Sequence, residues 1–192
     1  MRLFADKGYG STSVADILRE AGANSGSLYH AFATKQHVLV AVLDLYRDGI
    51  DSMLLAAAWA GVDDPIERIF ALLGCYRRAL AQSDCLYGCP IGSLALELHE
   101  PDPEVRAALA ANFTAWTDAI RACLDAAGPR LSVAPDRTAM ARFILAVMEG
   151  AVMQARTHRD LGYFDDSVAV LRDWLDRLQT QAAQFPNRKE PA

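Results

Sequence analysis

Residues 8–35, GYGSTSVADILREAGANSGSLYHAFATK, carry two short helical patterns set on either side of Gly22, and so short a link leaves room only for a tight helix-turn-helix. Thr12 or Ser13 is placed to cap the first helix, and Asp16, three residues after Ser13, has the spacing of a capping box. Val14, Ile17, Leu18 and Ala21 recur at i, i+3, i+4 and i+7, which gathers them on one face that must pack against a neighbour. Gly22 suits the left-handed position that ends a helix, and Asn24 or Ser25 caps the next, expected from about Ser25 to Phe32. That helix buries only Leu28 and Phe32, so it depends on Leu3, Phe4, Val38, Leu39, Val42 and Leu43 for support.

The residues left facing outward are Ser25, Gly26, Ser27, Tyr29 and His30. In helix-turn-helix proteins the N-terminal end of the second helix enters the DNA major groove, where side chains and backbone amides reach base edges and phosphates. Asn24, Ser25 and Ser27 sit at that end. Thr34 caps a third helix whose first turn holds Lys35, a cation that opposes the helix dipole there and needs another reason to be present. A DNA phosphate is the expected reason.

The residues Phe4 to Tyr9, Thr12-Ser13-Val14 with Asp16-Ile17, Ala21-Gly22, and Gly26-Ser27-Leu28-Tyr29 with Phe32 and Lys35 together resemble the tetracycline-repressor (TetR) family of transcription regulators. The resemblance at the level of motifs covers about the first quarter of the chain. It implies an all-α protein: an N-terminal helix-turn-helix domain of three helices, here 1–48, and a C-terminal helical bundle for ligand binding and dimerisation, 49–192. It also implies that Thr12 or Ser13, Ser25, Ser27, Tyr29 and Lys35 contact the operator backbone, while Asn24, Gly26 and His30 lie nearest the bases. Two departures accompany it. Only Met1 to Lys7 precede Gly8, where the family carries a longer first helix, so weak DNA binding is expected of this domain. The five basic residues of the first fifty, Arg2, Lys7, Arg19, Lys35 and Arg47, are matched by Asp6, Asp16, Glu20, Asp44 and Asp48, which leaves no basic footprint.

Across 192 residues the chain is 52% hydrophobic and 22% charged, ordinary material for a folded protein with a sizeable core. Its net charge of −5 falls wholly after residue 50, which fits a local DNA contact on an acidic body. The apolar run from Phe143 to Met153 is broken by Glu149 and falls short of the roughly 18 residues that a membrane span needs. No signal peptide is evident, so a cytoplasmic protein with no membrane contact is expected. Cys75, Cys85, Cys89 and Cys123 contain no CxxC pair and are expected to be reduced, with a thiol sensor at Cys85 and Cys89 the lesser alternative. His30, His37, His99 and His158 are scattered, so neither a metal nor another cofactor is expected. His99, between Glu97 and Glu100, reads as a polar helix end. No nucleophile elbow, phosphate loop or HExxH is present, which argues against an enzyme.

The remainder is helical pattern divided by proline, glycine and aspartate. Helices are expected from Thr34 to about Ala60 with a break near Gly49, from Pro65 to Gln82, from Pro90 to His99, from Pro103 to Gly128, from Asp136 to His158 and from Asp165 to Ala183. In the last two, apolar residues spread around much of the first helix, and Val168, Leu171, Leu175 and Leu178 form a helix-packing seam thickened by Trp174. The family resemblance implies that these helices pair with their copies in a homodimer, and Phe143, Val147, Gly150, Ala151, Val168, Leu171, Leu175 and Leu178 are the expected interface. It further implies a small-molecule effector held in the body, for which Tyr76, Phe113, Trp116, Thr117, Phe143, Met148 and Gln154 are the candidate lining. The expected function is a ligand-responsive regulator, a repressor that binds a partly palindromic double-stranded operator and is released by a small apolar or aromatic effector. The rival reading is a helical carrier or adaptor of the same architecture that has lost DNA binding.

Overall fold

The computed structural model describes residues 1–131 and 135–184. Ten helices follow one another among them: α1 Arg2–Lys7, α2 Val14–Ala21, α3 Ser25–Ala31, α4 Lys35–Asp48, α5 Ala56–Ala58, α6 Pro65–Gln82, α7 Pro90–Glu97, α8 Pro103–Ala126, α9 Arg137–His158 and α10 Gly162–Gln184. No strand occurs among the described residues. The helix expected from Thr34 to Ala60 is interrupted, because α4 ends at Gly49 and resumes only through a π-helical turn, Asp51–Leu55, and the short α5. Glycine is a poor residue to carry a helix onward.

Two compact units are formed. The first joins Met1–Ile50 to Tyr87–Ala115, and the second joins Asp51–Leu86 to Trp116–Ala192, so the division falls inside α8. In the first unit Phe4, Val38, Leu39 and Leu43 are buried, as are Ile91 and Leu94 of α7 and Val105, Ala108 and Leu109 of α8. Phe4 of α1, Ile17 and Ala21 of α2, and Val38 and Val42 of α4 line a common cleft of about 230 Å³. Asn112, a polar side chain buried among these apolar groups, donates from Nδ2 to the carbonyls of Leu43 at 2.9 Å and Ala108 at 3.0 Å, which satisfies it and ties α8 to α4.

The second unit is built on α9 and α10, joined by a three-residue turn in which Arg159 takes the left-handed conformation at φ 55°. Phe164, Leu171 and Leu175 of α10 and Met140, Ile144, Met148 and Val152 of α9 fill its core with Ile66, Ile69 and Leu73 of α6. Two forked ion pairs fasten α6 to α10: Arg172 to Glu67 at 2.7 and 3.0 Å, and Arg77 to Asp165 at 2.7 and 2.8 Å. The Arg172 guanidinium, hydrogen-bonded to Glu67, holds that carboxyl below its usual range. Being partly exposed, the Arg172–Glu67 pair contributes at most about 1 kcal/mol. By length and composition α9 is the one described helix able to cross a membrane, which the broken apolar run did not foretell. Part of its apolar surface is spent on the core, with Ala141, Ile144 and Ala155 fully buried.

Candidate nucleic-acid interface

Local hydrogen bonding fixes both ends of α2. Ser13 Oγ accepts from the Asp16 amide at 3.1 Å, and Asp16 Oδ2 accepts from the Ser13 amide at 3.1 Å and hydroxyl at 2.7 Å, a complete capping box. The Ser13 hydroxyl and amide, helped by Lys7 and Arg19, hold the Asp16 carboxyl down at about 2. At the other end Gly22 stands at φ 60°, and the Ala23 amide donates to Leu18 O at 3.0 Å. A Cβ on Gly22 would touch nothing within 4 Å, so Gly22→Ala meets no clash and only the left-handed backbone opposes it. The expected cost is about 1 kcal/mol, read as a lower thermal midpoint of the first unit. An unchanged midpoint would mean that the turn does not hold this conformation.

Asn24 caps α3, with Oδ1 accepting from the Ser27 amide at 2.8 Å. The cap occupies the oxygen alone, so the amide N–H donors are the part of Asn24 available to a base. Residues 21–27 and 29–31 form an exposed stretch that includes Ser25, Gly26, Ser27 and His30, and Tyr29 is 56% exposed. Leu28 of this seven-residue helix and Phe32, the extended residue that follows it, are half-buried.

Two residues expected at phosphates make internal contacts. Thr12 is fully buried, and its hydroxyl donates to Gly8 O at 2.6 Å, so its side chain shapes the loop before α2 and is not presented to DNA. Lys35 has an internal reason to stand in the first turn of α4: Nζ donates to Tyr9 O at 2.8 Å and Thr12 O at 3.0 Å, and lies 4.1 Å from the Tyr9 ring centroid. The other basic residues of the first fifty are engaged as well. Arg2 pairs with Glu20, Lys7 and Arg19 with Asp16, and Arg47 with Asp44 and Asp48. Arg2 and Arg19 are more than 70% exposed, so their pairs are weak enough to be exchanged for phosphates.

A group that sequence reasoning missed is Glu97, the last residue of α7, whose carboxylate accepts the amides of Tyr9 and Gly10. The partners are 88 and 87 residues away, and no local pattern links them.

The residues proposed for dimerisation divide into two sets. Leu171 and Leu175 are buried in the chain's own core, and Ala151 is buried but lines the surface groove between α9 and α10. Phe143 is 51% exposed with its ring edge-on to Trp174 at 5.2 Å, and Val147, Gly150, Val168 and Leu178 are half-buried. Val170, 70% exposed, and Met153, 45% exposed, extend the outward apolar surface and were not foreseen. Between α9 and α10 this surface holds a shallow groove of about 480 Å³, lined by Ala146, Val147, Gly150, Ala151 and Val170 with Asp166 and Ser167 beside them.

Of the candidate effector contacts, Tyr76 and Trp116 are brought together, edge to face with centroids 6.2 Å apart. Thr117 and Phe113 are half-buried, and Phe113 belongs to the first unit. Met148 is packed in the core at 1% exposure, whereas Phe143 and Gln154 are exposed. Cys85, Cys89 and Cys123 are buried free thiols, and burial pushes the Cys123 thiol up, away from the reactive thiolate. Among the described residues no three His, Cys, Asp or Glu side chains gather as metal ligands.

Comparison with known proteins agrees with this arrangement. Residues 1–42 match the family model described as bacterial regulatory proteins, tetR family, and residues 65–170 match the C-terminal domain of LmrA/YxaF-like transcriptional regulators. An uncharacterized HTH-type transcriptional regulator of Mycobacterium tuberculosis is 31% identical over 97% of this chain and 92% of its own length. The HTH-type transcriptional repressor DhaR of a Mycobacterium species is 25% identical over 91% and 87%. Among solved structures, a TetR-family regulator of Agrobacterium tumefaciens superposes with a TM-score of 0.74 at 28% identity, covering 91% of this chain and 90% of that one.

Proposed function

Because the chain belongs to the TetR family of bacterial transcriptional regulators, whose helix-turn-helix binds DNA, we propose that it is a repressor acting as a homodimer on a partly palindromic operator and released by a small apolar or aromatic effector. The relatives are regulators and not enzymes. The observation that carries the reading is the exposed tip of α3: Asn24, Ser25, Gly26, Ser27, Tyr29 and His30 face outward on a helix whose cap and flanking turn are fixed by hydrogen bonds. In this reading Ser13, Ser25, Ser27 and Tyr29 meet the phosphate backbone, and Asn24, Gly26 and His30 lie at the bases. Thr12 and Lys35 hold the reader together.

The outward apolar surface of α9 and α10 supports the dimer, since a two-fold pair presents its readers to successive major grooves about 34–36 Å apart. Tyr76 and Trp116 are the aromatic pair offered to the effector. An effector shifts the regulator only by the difference in its affinity for DNA-competent and incompetent forms.

The test is selection of bound fragments from genomic DNA, followed by affinity measured across a salt series. Enrichment of a two-fold-related site is expected. The salt slope is expected to be shallow for a dimeric DNA binder, because the five basic residues of the first fifty are matched by five acidic ones and few are left to neutralise phosphates. Recovery of no fragment above bulk genomic DNA would favour the adaptor reading instead.

A further inference from the structure

The loop between α1 and α2 is held by a carboxylate from a distant part of the same unit. Glu97 accepts the Tyr9 amide at Oε2, 2.8 Å, and the Gly10 amide at Oε1, 2.7 Å, one donor to each oxygen. The approach is close: a Cβ on Gly8, itself at φ +82°, would meet Glu97 Oε2 at 2.9 Å. The loop's carbonyls are also taken, those of Tyr9 and Thr12 by Lys35 and that of Gly8 by the Thr12 hydroxyl. With glycines at 8 and 10 and no regular structure of its own, this segment has many conformations available, and these clamps select one. It leads directly into Ser13, the cap of α2.

We propose that Glu97 is a positioning residue for operator binding: its two hydrogen bonds set the α1–α2 loop, and through it α2 and α3, in the geometry that fits DNA. The proposal rests on the DNA-binding reading above. Glu97 stands at the end of α7, outside the helix-turn-helix, so the geometry of the reader depends on where α7 ends. A paired carboxylate and two amides form charge-assisted bonds, the stronger kind. Without them the competent loop becomes one conformer among several, and the measured dissociation constant rises by the reciprocal of the fraction that remains competent.

The experiment uses the full chain and the operator fragment recovered by selection, with Glu97→Ala, Glu97→Gln and Glu97→Asp beside the wild type. Glu97→Ala is expected to bind about tenfold more weakly, the scale of one lost hydrogen bond to a charged group. The loss should be the same on every operator variant, with an unchanged salt slope, because no phosphate contact is removed. Amide exchange measured by mass spectrometry should quicken over residues 9–13 and not across the unit. Glu97→Gln, isosteric and left with one acceptor oxygen, should fall between, and it carries the same comparison if the alanine variant does not fold. Glu97→Asp should recover part of the affinity.

Wild-type affinity in both the alanine and the glutamine variants would overturn the proposal. So would tighter binding with a steeper salt slope, which would mean that the carboxylate competes with phosphate for these amides. A wild type that retains no fragment overturns the DNA-binding reading and this one together, whereas intact binding in the variants overturns this one alone.

Discussion

Replacing Lys35 with alanine is expected to weaken operator binding on all sequences alike while leaving the salt dependence unchanged. The ammonium bridges two backbone carbonyls, Tyr9 O and Thr12 O, and lies over the Tyr9 ring, so its removal opens the loop on which α2 is mounted. A hydrogen bond to a charged group contributes about 1.5–3 kcal/mol, and two partly exposed ones with a cation–π contact should together sum to about 2–3 kcal/mol. Thermal denaturation of the full chain should register that loss as a lower midpoint for the first unit. Fluorescence anisotropy across a potassium chloride series separates the two roles. A lysine on phosphate would, when removed, flatten the slope of log K against log salt by about 0.9 for each copy. A slope that flattens in that way, with the melting midpoint unmoved, would return Lys35 to the DNA and refute the internal role.

Val170→Asp is expected to leave the isolated chain folded and to abolish dimerisation. Val170 is 70% exposed, and a substitution at so exposed a site ordinarily changes the stability of the chain by no more than about 0.5 kcal/mol. In a two-fold interface the same change places a carboxylate, and its copy, in an apolar contact without a partner. That costs several kcal/mol, enough for at least a hundredfold loss of dimer affinity. Sedimentation at low micromolar concentration should show a monomer, with unaltered circular dichroism and a matching loss of cooperative operator binding. A variant that sediments as a dimer would remove this face of α9 and α10 from the interface.

The helix-turn-helix was legible because its determinants are local. The capping box of Ser13 and Asp16, the left-handed Gly22 and the Asn24 cap are each closed by partners within a few residues. Spacing narrowed the caps to Thr12 or Ser13 and to Asn24 or Ser25, and the structure chose between them. The internal hydrogen bonds of Thr12 and Lys35 were not legible in that way. Their partners, Gly8 O for Thr12 and the carbonyls of Tyr9 and Thr12 for Lys35, depend on how the loop folds back, which residue type does not reveal. The seam on α10 shows a further limit of periodicity. Val168, Leu171, Leu175 and Leu178 fit any helix partner, and only the packed structure separates Leu171 and Leu175, turned into the chain's own core, from the exposed Val170 beside them.

By itself, then, the amino-acid order determined the all-helical class, most helix limits and the presence of the DNA reader, because caps, turns and apolar periods act over a few residues. The tertiary structure decided which polar groups the reader must spend on its own loop, which apolar residues of the last two helices remain outside, and that Glu97 reaches back to Tyr9 and Gly10. Those outcomes depend on contacts between segments far apart in the chain. Such contacts form only when hydrophobic burial has fixed the helices against one another, and short-range spacing holds no record of them.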